Sequence, residues 1–177
     1  MCKLSEIDMK VGLGIAAVSL LFVACSNEQV QVKVDPTQYQ VKSAQELQQR
    51  FEALNSKLTL DFAQFKKAES NAFAHQYAFD ANELKKLNMH LVASTSLKPT
   101  KIAYCNMMNG YFVEMYRLGH FNLNLINDVK LPNSQNENLK NNFSSTDQFY
   151  NFILDRYTSY RQVQQTMNYG CNLKAAL

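Results

Sequence analysis

The chain has 177 residues, of which 46% are hydrophobic and 19% charged, with a net charge of +3. Five Gly and three Pro exclude a collagenous, Pro-rich or low-complexity chain, and the apolar fraction excludes general disorder. A charge this mild does not imply a nucleic-acid partner, and four Cys without a C-x-x-C spacing argue against a zinc finger or a thioredoxin-type site.

The N-terminus reads as an address. Residues 11–24 carry no charge and a single hydroxyl, Ser19. As a helix these 14 residues rise about 21 Å, short of the ~30 Å hydrocarbon core, which is the length of a signal-peptide apolar region rather than of a spanning helix. The run closes in Leu21-Phe22-Val23-Ala24-Cys25-Ser26. Glu6 and Asp8 do not suit the basic start of a leader, whereas Met9-Lys10 does, so Met9 is read as a candidate translation start.

Those residues resemble the lipobox of bacterial lipoproteins, with Phe22 where the family prefers Leu. The resemblance implies cleavage before Cys25, acylation of Cys25 and attachment to a membrane. Ser26, where an Asp would retain the protein elsewhere, implies the outer membrane; the sequence leaves the orientation open, and the expectation is a domain facing the periplasm. The resemblance covers only the leader. It divides the chain into a signal peptide (1–24), a lipidated tether (25–42) and a domain (43–177).

Residues 27–42, rich in Gln and Val, read as a flexible spacer. From there the pattern is helical. Ser43 and Glu46 form a capping box. Leu47, Phe51, Leu54, Leu58, Phe62 and Phe65 then mark one face of a long helix, drawn to about His75. Asp80 and Glu83 repeat the cap signature before a stripe of Leu84, Leu87 and Leu91. Residues 94–100, with Pro99, read as a break. A third helix takes Ile102, Cys105, Met108, Phe112 and Met115 through Leu118, and Phe121 to Leu125 are assigned to helix although they also alternate like a strand.

Residues 130–142 read as a loop, with Pro132 followed by six Asn or Gln residues. Ser145 and Gln148 start a last helix whose stripe is Phe149, Ile153, Tyr160, Val163 and Met167, and Gly170 is placed as its left-handed cap. The expected fold is therefore all-α, an antiparallel bundle of about four helices. In such a bundle Cys105, near the start of the third helix, meets Cys171, just past the end of the fourth. An oxidising compartment then makes a Cys105–Cys171 disulfide the expected outcome.

Catalytic signatures are not found. His75, His90 and His120 fall on three expected helices without metal-ligand spacing, and are read as structural. Neither a Gly-x-Ser-x-Gly elbow nor a Ser-x-x-Lys pair is present, and no glycine-rich loop can cradle a phosphate. Glu69, Glu83, Glu114 and Asp155 read as helix-surface charges. Neither a cofactor nor a metal is expected.

The expectation is a non-enzymatic, membrane-anchored envelope lipoprotein that binds another envelope protein as an adaptor or assembly subunit. Tyr150, Arg156, Tyr157, Tyr160 and Arg161 on the last helix are its candidate contact face, because Tyr and Arg dominate interaction hot spots. Two alternatives stand beside it. One is an apolar ligand-binding lipoprotein lined by Met107, Met108, Met115 and Met167. The other is an envelope immunity or inhibitor protein.

Overall fold

The computed structural model describes residues 34–131, 145, 148–149, 151–153 and 158–177, which belong to the compact unit Val34–Leu177. The leader, Cys25, the first part of the tether and the loop at 132–142 lie outside the described residues. The fold is all-α: the described residues contain no strand, only an isolated antiparallel bridge between Phe73 and Val92.

Helix α1 (Ala44–Ala68) begins where the capping box places it. The Ser43 hydroxyl accepts from Glu46 N, and the Glu46 carboxylate accepts in return from Lys42 N at 3.2 Å. Its buried line is Leu47, Phe51, Asn55, Leu58, Phe62 and Lys66. Two polar residues thus occupy core positions, while Leu54 and Phe65 are only partly buried. The helix stops at Ala68 rather than near His75, because the next place in the stripe falls at Glu69 and Ser70. The chain then runs through a single 3-10 turn (Ser70–Ala72) into an extended stretch that holds Phe73 and Phe79 in the core.

Residues Ala81–His90 form 3-10 helix broken by a kink at Glu83 (φ −118°, ψ 46°), instead of the expected α-helix. Ala81, Leu84, Leu87 and His90 are its buried residues. Past the kink, the three-residue spacing of Leu84, Leu87 and His90 matches three residues per turn, so these three lie in one row. The last member is therefore His90, not Leu91. The Asp80 side chain caps Asn82 N, while Glu83 pairs with Lys86 at 2.6 Å instead of closing a capping box.

Helix α2 (Lys98–His120) starts earlier than the break at 94–100 suggested. Pro99 sits in its first turn, where a missing N–H is no loss. Near its ends, Thr100 donates to Glu69 at 2.8 Å and Asn122 accepts from Val41 N at 2.9 Å, so α2 runs antiparallel to α1. Residues Leu123–Ile126 form a short helix, α3, which resolves the alternation of that stretch in favour of helix. Ser145 caps the next helical stretch, accepting from Gln148 N at 3.3 Å, and residues 148–149 and 151–153 are helical.

Helix α4 (Thr158–Thr166) packs along the 81–90 segment, and Ser159 donates to Lys85 O at 3.0 Å. Phe149, Ile153, Tyr160, Val163 and Met167 are all buried, as the stripe implies. Gly170 does not adopt the left-handed conformation; Asn168 (φ 50°) and Asn172 (φ 48°) do. Asn tolerates that region because its short amide bonds locally, which leaves Gly170 no such duty. The chain closes with the short helix α5 (Leu173–Ala176).

Cys105 and Cys171 form a disulfide, with Cα atoms 5.0 Å apart. The bridge closes a separation of 66 residues, worth about 4 kcal/mol by the chain-entropy argument. It ties the C-terminal stretch onto the first third of α2.

The second half of the expected spacer is a docked strap. Asp35 caps a 3-10 turn (Pro36–Gln38), and Arg50 donates to Gln38 O at 2.8 Å. The Tyr39 ring stacks on Phe121, and its hydroxyl donates to Glu114 at 3.0 Å. Buried Asn122 donates to Tyr39 O and Leu118 O while accepting from Val41 N. One side-chain amide thus does for the strap what a neighbouring strand would do.

Candidate interaction site

Of the expected tyrosine–arginine face only Tyr160 and Arg161 are described, and Tyr160 departs from it. Tyr150, Arg156 and Tyr157 lie outside the described residues. Tyr160 is 1% exposed, with its hydroxyl donating to Asn109 Oδ1 at 2.8 Å and its ring against Tyr104 and Phe112. It is a core residue and cannot present a contact surface. Its stripe position, in register with Ile153 and Val163, outweighs the amphipathic preference of tyrosine for a rim. Arg161 is exposed. Of the α2 tyrosines, Tyr104 and Tyr111 are buried and Tyr116 is partly so.

The structure offers a different surface. A groove of about 530 Å³ runs between α1 and α2. Leu54 and Leu58 from α1 and Met107, Tyr111 and Val113 from α2 line it. Gly110 opens its floor: a Cβ there would meet no atom within 4 Å. Lys57 pairs with Asp61 on one rim, and Arg117 pairs with Glu114 at 3.0 Å on the other. Both rims are internally neutralised, so the groove presents apolar area between charge pairs and carries no net field. Such a trough suits an apolar helix face or an apolar small molecule, since each removes Leu and Met surface from water without stripping a charge of its partner.

Among the methionines proposed as ligand-lining, only Met107 borders this groove. Met108, Met115 and Met167 are buried in the core. Gly110 escaped notice in the sequence, where a lone glycine in a helix reads as a defect. Its signal was position, since it lies one turn from Met107 and Val113 on a helix whose other face carries the core.

A second cluster is buried. Lys66 is 6% exposed, yet no carboxylate among the described residues pairs with it. Its ammonium donates to His75 O at 3.1 Å and Tyr77 O at 3.0 Å, and lies 2.9 Å from His90 Nδ1. The Phe62 and Phe73 rings lie beneath it, at 5.8 and 5.0 Å. Nδ1 must accept, so the His90 proton sits on Nε2. Burial lowers the Lys66 pKa. Burial, together with the Lys66 charge, lowers that of His90 to about 4. The arrangement pins the extended 73–79 stretch to the end of α1; a lysine at the core register of the stripe was its sequence signal.

The remaining polar candidates have structural partners. His75 lies in that extended stretch and not on a helix, its ring tilted against Tyr77 at 5.3 Å. His120, the last residue of α2, is bonded to the Tyr116 hydroxyl. Glu69 holds Thr100, Glu83 holds Lys86 and Glu114 holds Arg117 and Tyr39; Asp155 lies outside the described residues. Among the described residues no group of three His, Cys, Asp or Glu could hold a metal ion, and no helix is long and apolar enough to cross a membrane.

No family model, curated protein or solved structure matches the chain.

Proposed function

We propose that the chain is a bacterial envelope lipoprotein, acylated at Cys25 on the periplasmic face of the outer membrane, whose helical domain binds a second envelope protein without catalysing a reaction. The observation that carries the reading is the apolar run 11–24 closing on Ala24-Cys25. The Cys105–Cys171 disulfide agrees with an oxidising compartment. The α1–α2 groove supports the binding half, as an apolar trough whose neutral rims favour an apolar helix face of the partner.

A second reading, binding of an apolar small molecule, draws on the same groove, whose volume falls within the ~300–1,000 Å³ of small-molecule sites. Gly110→Phe separates the groove from the rest of the protein, because a Cβ at this position enters open space. Purified from its own host's membranes, the wild-type protein is expected to carry one stoichiometric protein partner, and Gly110→Phe to lose it while remaining folded and membrane-bound. Retention of the partner by Gly110→Phe rejects the groove. A bound small molecule in native mass spectra, without a protein, favours the second reading.

A further inference from the structure

The charge pairs on the two rims of the groove are not equivalent. On the α1 rim Lys57 is occupied by Asp61, one turn further on. On the α2 rim Arg117 uses a single nitrogen, Nη1, for both of its hydrogen bonds, to Glu114 Oε1 at 3.0 Å and to the Tyr39 hydroxyl at 3.2 Å. Among the described residues nothing accepts from its Nε or Nη2. These two nitrogens share one edge of the guanidinium, the fork that takes a carboxylate through two parallel hydrogen bonds.

Arg117 is also held in place. Its side chain is 28% exposed, and its guanidinium carbon lies 5.8 Å from the centre of the Tyr39 ring. Glu114 Oε1 accepts from the Tyr39 hydroxyl at 3.0 Å, which closes a triangle of hydrogen bonds between Tyr39, Glu114 and Arg117. A guanidinium fixed in this way loses little side-chain freedom when it takes a ligand. The rim is electrically neutral, yet its donors are not exhausted, and Arg117 lines the same groove as Leu54, Leu58, Met107 and Val113.

Gly110 and Arg117 set a spacing. They are seven residues apart on α2, about 10 Å along the helix axis. A helix laid along the trough with an apolar side chain over Gly110 brings a residue two turns away beside Arg117. An apolar residue there would cover the fork and leave its donors with neither water nor partner, whereas a carboxylate satisfies both. We infer that the helix received by the groove carries an Asp or Glu two turns from its apolar anchor, and that Arg117 binds this carboxylate. The inference rests on the groove as the docking site for a protein helix, and adds the contact that selects among apolar helices. Glu114 then opposes the incoming charge while it holds Arg117 in position.

The probe is the protein that co-purifies with the full-length chain from its host's membranes, identified by mass spectrometry and titrated calorimetrically against the chain and its variants in detergent. Arg117→Gln is expected to weaken binding about 10–100-fold, and Arg117→Lys, which keeps the charge but not the fork, to recover only part of the loss. Glu114→Gln keeps the acceptor for Tyr39 and Arg117 but removes the opposing charge, and should tighten binding about threefold. Tyr39→Phe takes the hydroxyl from the triangle and leaves the fork, and should bind within about twofold of wild type. A pair that served only the fold would not shift affinity in opposite directions. Replacing the partner's acid by its amide should then abolish the difference between wild type and Arg117→Gln. Unchanged affinity in Arg117→Gln, or weakening by Glu114→Gln and Tyr39→Phe alike, overturns the inference and leaves the groove standing if Gly110→Phe loses the partner. Retention of the partner by Gly110→Phe, or the absence of any stoichiometric partner, overturns the groove reading and this inference together.

Discussion

Acid should unfasten the Lys66–His90 contact before it reaches the rest of the fold. Above pH 6.5 His90 is neutral in both folded and unfolded chains, and its Nδ1 accepts from the Lys66 ammonium. In the folded chain its pKa falls to about 4, first through burial and then through the Lys66 charge. The unfolded chain thus binds a proton that the folded chain refuses, and stability declines as pH falls from 6.5 towards 4. The full difference of about 2.5 units corresponds to about 3 kcal/mol, a large fraction of a typical domain's 5–15.

Urea unfolding at pH 7.5, 5.5 and 4.0, on wild type and His90→Asn, isolates this contribution. The Asn Oδ1 takes the place of Nδ1 as acceptor but does not titrate. Carboxylate effects are common to both proteins, and the smaller side chain costs the same at every pH. The stability difference should therefore shift by about 3 kcal/mol in favour of His90→Asn across the range, with about half of it reached near pH 5.5. Parallel pH profiles for the two proteins would refute the reasoning.

The two helical glycines of α2 should respond oppositely to alanine. Gly110→Ala projects into open space and should gain about 0.5–1 kcal/mol from helix propensity, whereas Gly119→Ala places a Cβ 2.0 Å from the Phe149 ring and should cost about 3 kcal/mol or more, both read by urea denaturation. The Tyr104 hydroxyl is buried with no hydrogen-bond partner among the described residues, so Tyr104→Phe should stabilise by about 1 kcal/mol. Tyr160→Phe should lose about as much by abandoning Asn109, and thermal melts of both variants check the pair. Reducing the Cys105–Cys171 bridge, or replacing both residues by Ser, should lower unfolding free energy by about 4 kcal/mol, measured with and without reductant.

Much of the bundle was legible because its helices obey simple period rules. The Ser43–Glu46 cap, the last-helix stripe and the Cys105–Cys171 pairing all follow from spacing and antiparallel neighbours. Where the reading departed from the structure, a local rule met a tertiary one. Ala81, Leu84, Leu87 and His90 repeat every three residues, yet a helix was assumed to have a period of 3.6. Asn55 and Lys66 hold core positions because Tyr111, Asn82 and two carbonyls satisfy them, and sequence alone does not show such partners.

The α1–α2 groove is less legible in the sequence for the same reason. Tyr160 was assigned to a contact face by residue type, although its stripe already placed it in the core. The groove is made by what α2 lacks at Gly110, and an absent side chain becomes a feature only once α1 lies beside it. The strap was read as spacer because its order comes from Asn122, more than eighty residues downstream of Tyr39.

Intact-mass measurement of the protein extracted from its host's membranes tests the proposed lipid anchor at Cys25 most directly. The expected species begins at Cys25 and carries a diacylglycerol thioether and an amide-linked acyl chain, with the Cys105–Cys171 bridge intact. A chain that retains residues 11–24, or one that begins at Cys25 with a free thiol, would contradict it.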